Sequence, residues 1–121
     1  MATLALHSAN FDEVVASHDI VLIDFWAGWC GPCLRFAPTY EAASITYPDI
    51  VFGKVDTEAE QELAGRFGIQ SIPTLMVFRE QVLIFAQAGA LPAHVLEDLI
   101  TKVKELDMDQ VRSELSQDAK G

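Results

Sequence analysis

The segment Ile20 to Trp26, IVLIDFW, is apolar at every position but one and runs directly into AGWCGPC. An apolar run of this length without alternation reads as a strand buried on both faces, in the interior of a sheet covered by helices. A carboxylate is costly in such a place unless it is paired, and Asp24 stands in the middle of the run. Asp24 therefore needs either a partner or a chemical task.

The flanking segments supply the layers that such a strand requires. A short strand is expected over Thr3 to Leu6, and Ser8 or Asn10 can cap a helix that runs to about Ser17, with Asp12 and Glu13 in its first turn. After the interior strand, GWCGPC turns the chain into a helix continuing through Leu34, Ala37, Tyr40 and Ala43 toward Tyr47. Val51 to Asp56 is the next strand, and Thr57-Glu58-Ala59-Glu60 reads as a capping box opening a helix that ends near Phe67-Gly68. Thr74 to Arg79 and Val82 to Ala88 are joined too tightly for a crossover helix, so they form an antiparallel hairpin. Val95, Leu96, Leu99, Ile100 and Val103 mark one face of a closing helix.

Strands alternating with helices and then a hairpin imply an α/β fold, a mixed central sheet of about five strands flanked by about four helices. One domain over 1–106 accounts for this pattern, and 107–121 reads as a polar carboxy-terminal tail, surface-lying or frayed, in which Met108, Val111 and Leu115 have the spacing of a marginal helical extension. The 121 residues, half of them hydrophobic, suffice for a real core without a disulfide framework or structural metal.

The net charge of −10, with eight basic residues scattered along the chain, argues against binding nucleic acid, whose phosphates need clustered Lys and Arg. The first residues, MATLALHSANFDE, contain no basic leader followed by an apolar block, and no apolar run approaches a bilayer span; the expectation is a soluble cytoplasmic protein without membrane contact.

The chain has two cysteines, Cys30 and Cys33. A bridge across two residues removes little loop entropy from the unfolded chain, so chemistry explains the pair better than stability does. Zinc would need four ligands, and His7, His18 and His94 are scattered and lie in no motif, so no metal site is expected. The cysteines fall where a strand meets a helix amino terminus, whose unpaired N–H groups and partial positive charge favour a thiolate at Cys30. Cys33, one turn further in, is within disulfide reach and shielded by the helix, so it is the thiol that resolves a mixed disulfide formed through Cys30. Gly31 and Pro32 fit this turn, since proline is tolerated in a first helical turn and stiffens it.

WCGPC at 29 to 33 after DFWA at 24 to 27 resembles the thioredoxin family, and the resemblance extends over roughly residues 3 to 106. It includes Phe36-Ala37-Pro38, Lys54-Val55-Asp56, Ile72-Pro73-Thr74 and Gly89-Ala90. The family's fold is the one expected above. What the resemblance implies is a protein-disulfide reductase with no bound cofactor, acting on disulfide-containing client proteins. It would be monomeric and recycled by a flavin-dependent thioredoxin reductase that draws on NADPH. It further implies that Trp29 belongs to an exposed rim that meets substrate, and that Trp26 is mostly core and supports the loop. Ile72-Pro73 would be a cis peptide packed against the cysteines, with the Ile72 backbone pairing to an extended substrate, and Gly89, beside Ala90, would keep that groove open. By the family's geometry Asp24 lies beneath the site near Cys33, with Lys54 close by. Burial raises its pKa and Lys54 lowers it, leaving a general base for Cys33; a purely structural Asp24–Lys54 ion pair is the alternative.

The chain departs from the family's pattern in two places. The family often has a lysine after the second cysteine, where this chain reads Leu34-Arg35, and an Asn-Gly hairpin turn, where it reads Arg79-Glu80-Gln81. A tight hairpin turn wants residues that tolerate positive φ, so its geometry is not implied by the resemblance. Val82, Leu83, Ile84 and Phe85 also make the following strand more apolar than is usual. Two rivals to the reductase are a disulfide oxidant or isomerase, and a scaffold or holdase using the same fold without redox chemistry.

Overall fold

The computed structural model describes residues 2–120, which form β1 (Thr3–Ala5), α1 (Phe11–Ser17), β2 (Ile20–Trp26), α2 (Gly31–Thr46), β3 (Val51–Asp56), α3 (Gln61–Arg66), β4 (Thr74–Arg79), β5 (Val82–Ala88), α4 (Ala93–Glu105) and α5 (Met108–Lys120). The sheet order is β1-β3-β2-β4-β5, with β1, β3 and β2 mutually parallel and β4 and β5 antiparallel. The apolar run at 20–26 is the interior strand, bonded on one side to β3 and on the other to β4.

Side chains alternate between faces along a strand, and β2 shows what each face is used for. Val21, Ile23 and Phe25 join Phe11 of α1 and Leu63 of α3 in one apolar cluster. Ile20 and Leu22 face the other way, packing with Phe36 and Tyr40 of α2 and with Leu96, Ile100 and Val103 of α4. Asp24 has the parity of Ile20 and Leu22 and so belongs to the face that α2 covers. The position of α2 is set from that face: Tyr40, fully buried, donates its hydroxyl to the Gly53 carbonyl at 2.8 Å. Pro38 lies inside α2 and leaves the Leu34 carbonyl without its helical N–H.

Two expectations change in the structure. Thr57 to Glu60 do not open a helix: the Thr57 hydroxyl bonds the Trp26 carbonyl at 3.1 Å, and Asp56 Oδ1 accepts the N–H of Glu58 at 2.9 Å. These bonds hold an Asx turn, and α3 starts only at Gln61. The stretch after Asp107 is helical instead of a frayed tail. Asp107 Oδ1 accepts the N–H groups of Asp109 and Gln110 at 3.1 and 3.2 Å, an N-cap that the residues DMDQ encode, and Met108 is buried.

The hairpin is antiparallel as expected, and its turn, left open by the sequence, is tight. With Arg79 paired to Val82, the connection is the two residues Glu80 and Gln81, at φ 49° and 72°; a primed two-residue turn is made here without glycine. Its supports come from outside the hairpin. Glu80 N donates to Asp19 O at 2.7 Å, Gln81 Nε2 to Ala16 O at 3.3 Å, and Arg112 of α5 reaches Glu80 Oε1 at 2.7 Å. Just before the turn, the Arg79 guanidinium donates to the carbonyls of Val103, Lys104 and Leu106, closing the carboxy-terminal end of α4.

A left-handed conformation costs a non-glycine residue roughly 1 kcal/mol or more. Gln81→Gly is therefore expected to raise stability by about 0.5–1 kcal/mol, and Gln81→Ala, which keeps the cost and loses the bond to Ala16, to lower it. Urea midpoints of the three proteins check this; a glycine variant no more stable than the parent would show that the Gln81 side chain outweighs the backbone term.

Candidate active site

Cys30 is the N-cap residue of α2, in extended conformation, and its sulfur accepts the N–H of Cys33 at 3.2 Å. The interior strand delivers the chain to this point and α2 begins at once, so the two sulfurs lie where the helix presents its free N–H groups. Cys30 and Cys33 are joined by a disulfide with Cα atoms 5.2 Å apart. Both are almost closed to solvent in this state, Cys30 at 4% and Cys33 at 2% exposure. Exposure therefore does not separate their roles as the sequence had implied. Their environments differ: only Cys30 has the capping position, and its sulfur lies 3.7 Å from the Ile72 carbonyl oxygen.

Ile72-Pro73 is cis, as the resemblance implied, and Pro73 is buried. The Pro73 carbonyl accepts the Gly89 N–H at 2.8 Å, which ties the loop before β4 to the end of β5. Gly89 has φ +106° and nothing within 4 Å of an added Cβ. The requirement for glycine there is a backbone one, whereas the sequence had pointed to steric room. Ala90 is exposed beside it.

The rim around the cysteines is apolar. Trp29 is 70% exposed, and Leu34 and Pro32 are exposed beside it. The Trp29 indole N–H donates to Glu58 Oε1 at 2.7 Å, so the ring is held toward a shallow groove of about 170 Å³ lined by Thr57, Ala64, Ile69 and Ile72 among others. Glu58 was missed by sequence reasoning because the residues 57–60 looked like a helix start; the signal available was that they follow β3, the strand beside the one that ends at Trp26.

Asp24 is fully buried, and neither carboxylate oxygen has a hydrogen-bond partner within the protein. It pairs in register with Lys54 of β3 and Leu75 of β4. Lys54 makes no salt bridge among the described residues; its ammonium lies 4.6 Å from the centroid of the half-buried Trp26 ring. The structural ion pair is thus not formed. Burial pushes the Asp24 carboxyl up to about 7, and the Lys54 charge opposes this only in part. Lys54 and Trp26 line a cavity of about 470 Å³ with Thr3, His7, Glu41 and Glu60.

Among the described residues no cluster of three or more His, Cys, Asp or Glu side chains could hold a metal, and no helix is long and apolar enough to cross a membrane. His7 contacts Glu60 at 3.1 Å, and His18 bonds the Val14 carbonyl at 2.9 Å, so neither is engaged with the sulfurs.

Residues 2–102 match the family model described as Thioredoxin. A Streptomyces coelicolor protein bearing the name "Putative thioredoxin 2" is 57% identical over 116 residues, 96% of this chain and 87% of that one. Thioredoxin 1 of Plasmodium falciparum is 37% identical over 102 residues, 84% of this chain and 97% of that one. The match to human protein disulfide-isomerase A4, 49% identical, covers 64% of this chain and 13% of that protein. Among solved structures, a mutant thioredoxin from Halobacterium salinarum superposes with a TM-score of 0.80 at 32% identity, covering 87% of this chain and 93% of that one.

The buried carboxyl has a thermodynamic signature. With a folded pKa near 7 against 3.8 for an ordinary aspartate, the native state holds a proton between these values that the unfolded chain has released. Folding stability attributable to Asp24 therefore falls as pH rises through this window and levels off above it, by about 4 kcal/mol in all. Asp24→Asn cannot titrate. Its stability relative to the parent should climb with pH from mildly acidic to mildly alkaline conditions, approximately by that amount, in paired denaturation curves; a difference independent of pH would place the Asp24 pKa outside the window.

Proposed function

The chain belongs to the thioredoxin family, and we propose that it serves as a general dithiol carrier of the cytoplasm, re-reduced by a flavin-dependent thioredoxin reductase at the expense of NADPH. It is a dithiol–disulfide oxidoreductase whose redox pair is Cys30 and Cys33. The fuller reading assigns each group a step.

In the reduced protein the Cys30 thiolate attacks one sulfur of a client disulfide, forming a mixed disulfide and releasing the first client thiolate. Asp24 then takes the proton of Cys33. The Cys33 thiolate attacks the Cys30 sulfur, the mixed disulfide breaks, and the second client sulfur leaves as thiolate and is protonated. Two electrons have passed to the client, and the Cys30–Cys33 disulfide remains for the reductase. Lys54 limits how far burial raises the Asp24 pKa. Trp29, Gly31 and Pro32 shape the attacking turn, and the Ile72 backbone pairs with an extended client segment in a groove that Pro73, Gly89 and Ala90 border.

The observation that carries this reading is the sulfur of Cys30 at the N-cap of α2, accepting the Cys33 N–H. A negative sulfur there is met by the N–H groups and partial positive charge of the helix end, which favours the thiolate and selects it as the nucleophile. A buried carboxyl titrating near 7 is suited to take a thiol proton at physiological pH and to return it. Placement of Asp24 on the face of β2 that α2 covers supports the same assignment.

Cys33→Ser should strand clients as mixed disulfides on Cys30, separable by non-reducing electrophoresis and identified by mass, while Cys30→Ser should trap almost none. Equal trapping by both variants would reverse or abolish the assigned roles. A cellular phenotype fully rescued by the double serine variant would favour a scaffold instead.

A further inference from the structure

Most of the eight basic residues are already neutralised by a carboxylate. Arg66 pairs with Asp12, Arg79 with Asp19, Lys102 with Asp98, Lys104 with Asp49 and Arg112 with Glu80. Lys54 is turned onto Trp26 and lines the cavity beside β3. Arg35 makes no ion pair and no side-chain hydrogen bond among the described residues, and it is exposed. Its position is specific. A helical side chain leans toward the amino terminus over the residue four positions earlier, and here Arg35 Nη1 comes within 3.3 Å of where a Cβ on Gly31 would be. The guanidinium thus lies against the CGPC turn, next to the exposed Leu34 and Pro32.

A guanidinium left without a partner in a chain of net charge −10 is an unspent donor fork, and its location decides what it can meet. A segment that brings a disulfide to Cys30 approaches the CGPC turn, against which Arg35 rests. We propose that Arg35 is a specificity-determining residue that engages a carboxylate flanking the attacked disulfide, so that this protein favours client segments with an Asp or Glu beside the reacting cysteine. The proposal deepens the reductase reading and rests on it. The rest of the molecule repels acidic clients, and the acid on the rim, Glu58, is held by the Trp29 indole on the groove side. Arg35 supplies the local attraction that such clients would otherwise lack, with a geometry that a carboxylate can meet by two parallel hydrogen bonds. The family's common lysine position is occupied by Leu34, so the cation here projects from a different point on the helix.

Three disulfide peptides differing only in Asp, Asn or Lys next to the target cysteine provide the test, with kcat/KM measured for the parent, Arg35→Gln, Arg35→Lys and Arg35→Glu. The Asp-to-Asn ratio should drop about threefold to fivefold in Arg35→Gln, as for an exposed ion pair. It should be partly kept in Arg35→Lys and be lowest in Arg35→Glu, which should also gain on the Lys peptide. In the parent, added salt should compress the ratio. An unchanged ratio overturns the proposal. So does an equal slowing of all peptides together with a shifted thiolate titration in the ultraviolet, since Arg35 would then act on Cys30 and not on the client. Failure of the reductase reading looks different: the parent in its dithiol form would reduce none of the three.

Discussion

The interior position of β2 is the constraint from which the rest follows. Bonded to β3 on one side and β4 on the other, and covered on both faces, the strand leaves its side chains almost no access to solvent before Trp26. Alternation along it then sorts residues by task. Val21, Ile23 and Phe25 build the core beneath α1 and α3, and the opposite face delivers Asp24 to the side that α2 covers. The same burial that makes an ionised Asp24 costly raises its pKa to about 7. Just past the end of the strand, Cys30 caps the helix that follows, so strand burial and helix-end electrostatics meet at one point of the chain.

Much of this was legible before any coordinates, and for physical reasons. The strand ends at Trp26, Asp56 and Arg79 were read correctly because apolar runs stop where turn residues start, and the cis Ile72-Pro73 bond followed from the resemblance. What escaped depended on partners distant in sequence. Thr57 looked like a cap because Thr-x-x-Glu is a local pattern, but the Trp26 carbonyl competes for its hydroxyl. Lys54 does lie beside Asp24 in register, but its stem is long enough to place the ammonium on the Trp26 ring, so the alternative of an ion pair with the carboxylate is not formed. Gly89 was credited with leaving space, where backbone torsion is the stronger demand.

Arg79 shows how a departure from the usual turn is accommodated. Its guanidinium closes α4 while Glu80 and Gln81, next in the chain, are held by Asp19, Ala16 and Arg112. Support of this kind transfers part of the hairpin's stability to α1 and α5. The carboxy-terminal helix, in which Met108 is buried, is fastened to the hairpin turn through Arg112 and Glu80.

The strand order carries a consequence for a chain that grows from its amino terminus. By the time β3 has been made, β2 can already be paired on one side, but its other neighbour, β4, comes later by a helix and the cis-proline loop. Until then the most apolar strand of the protein presents an open edge, with Asp24 as the one charge-bearing group along it. In the nascent chain the aspartate is solvated and ionised, and a charge on an unpaired edge opposes intermolecular pairing. The residue that is costly in the finished fold is thus a gatekeeper while the fold is being made.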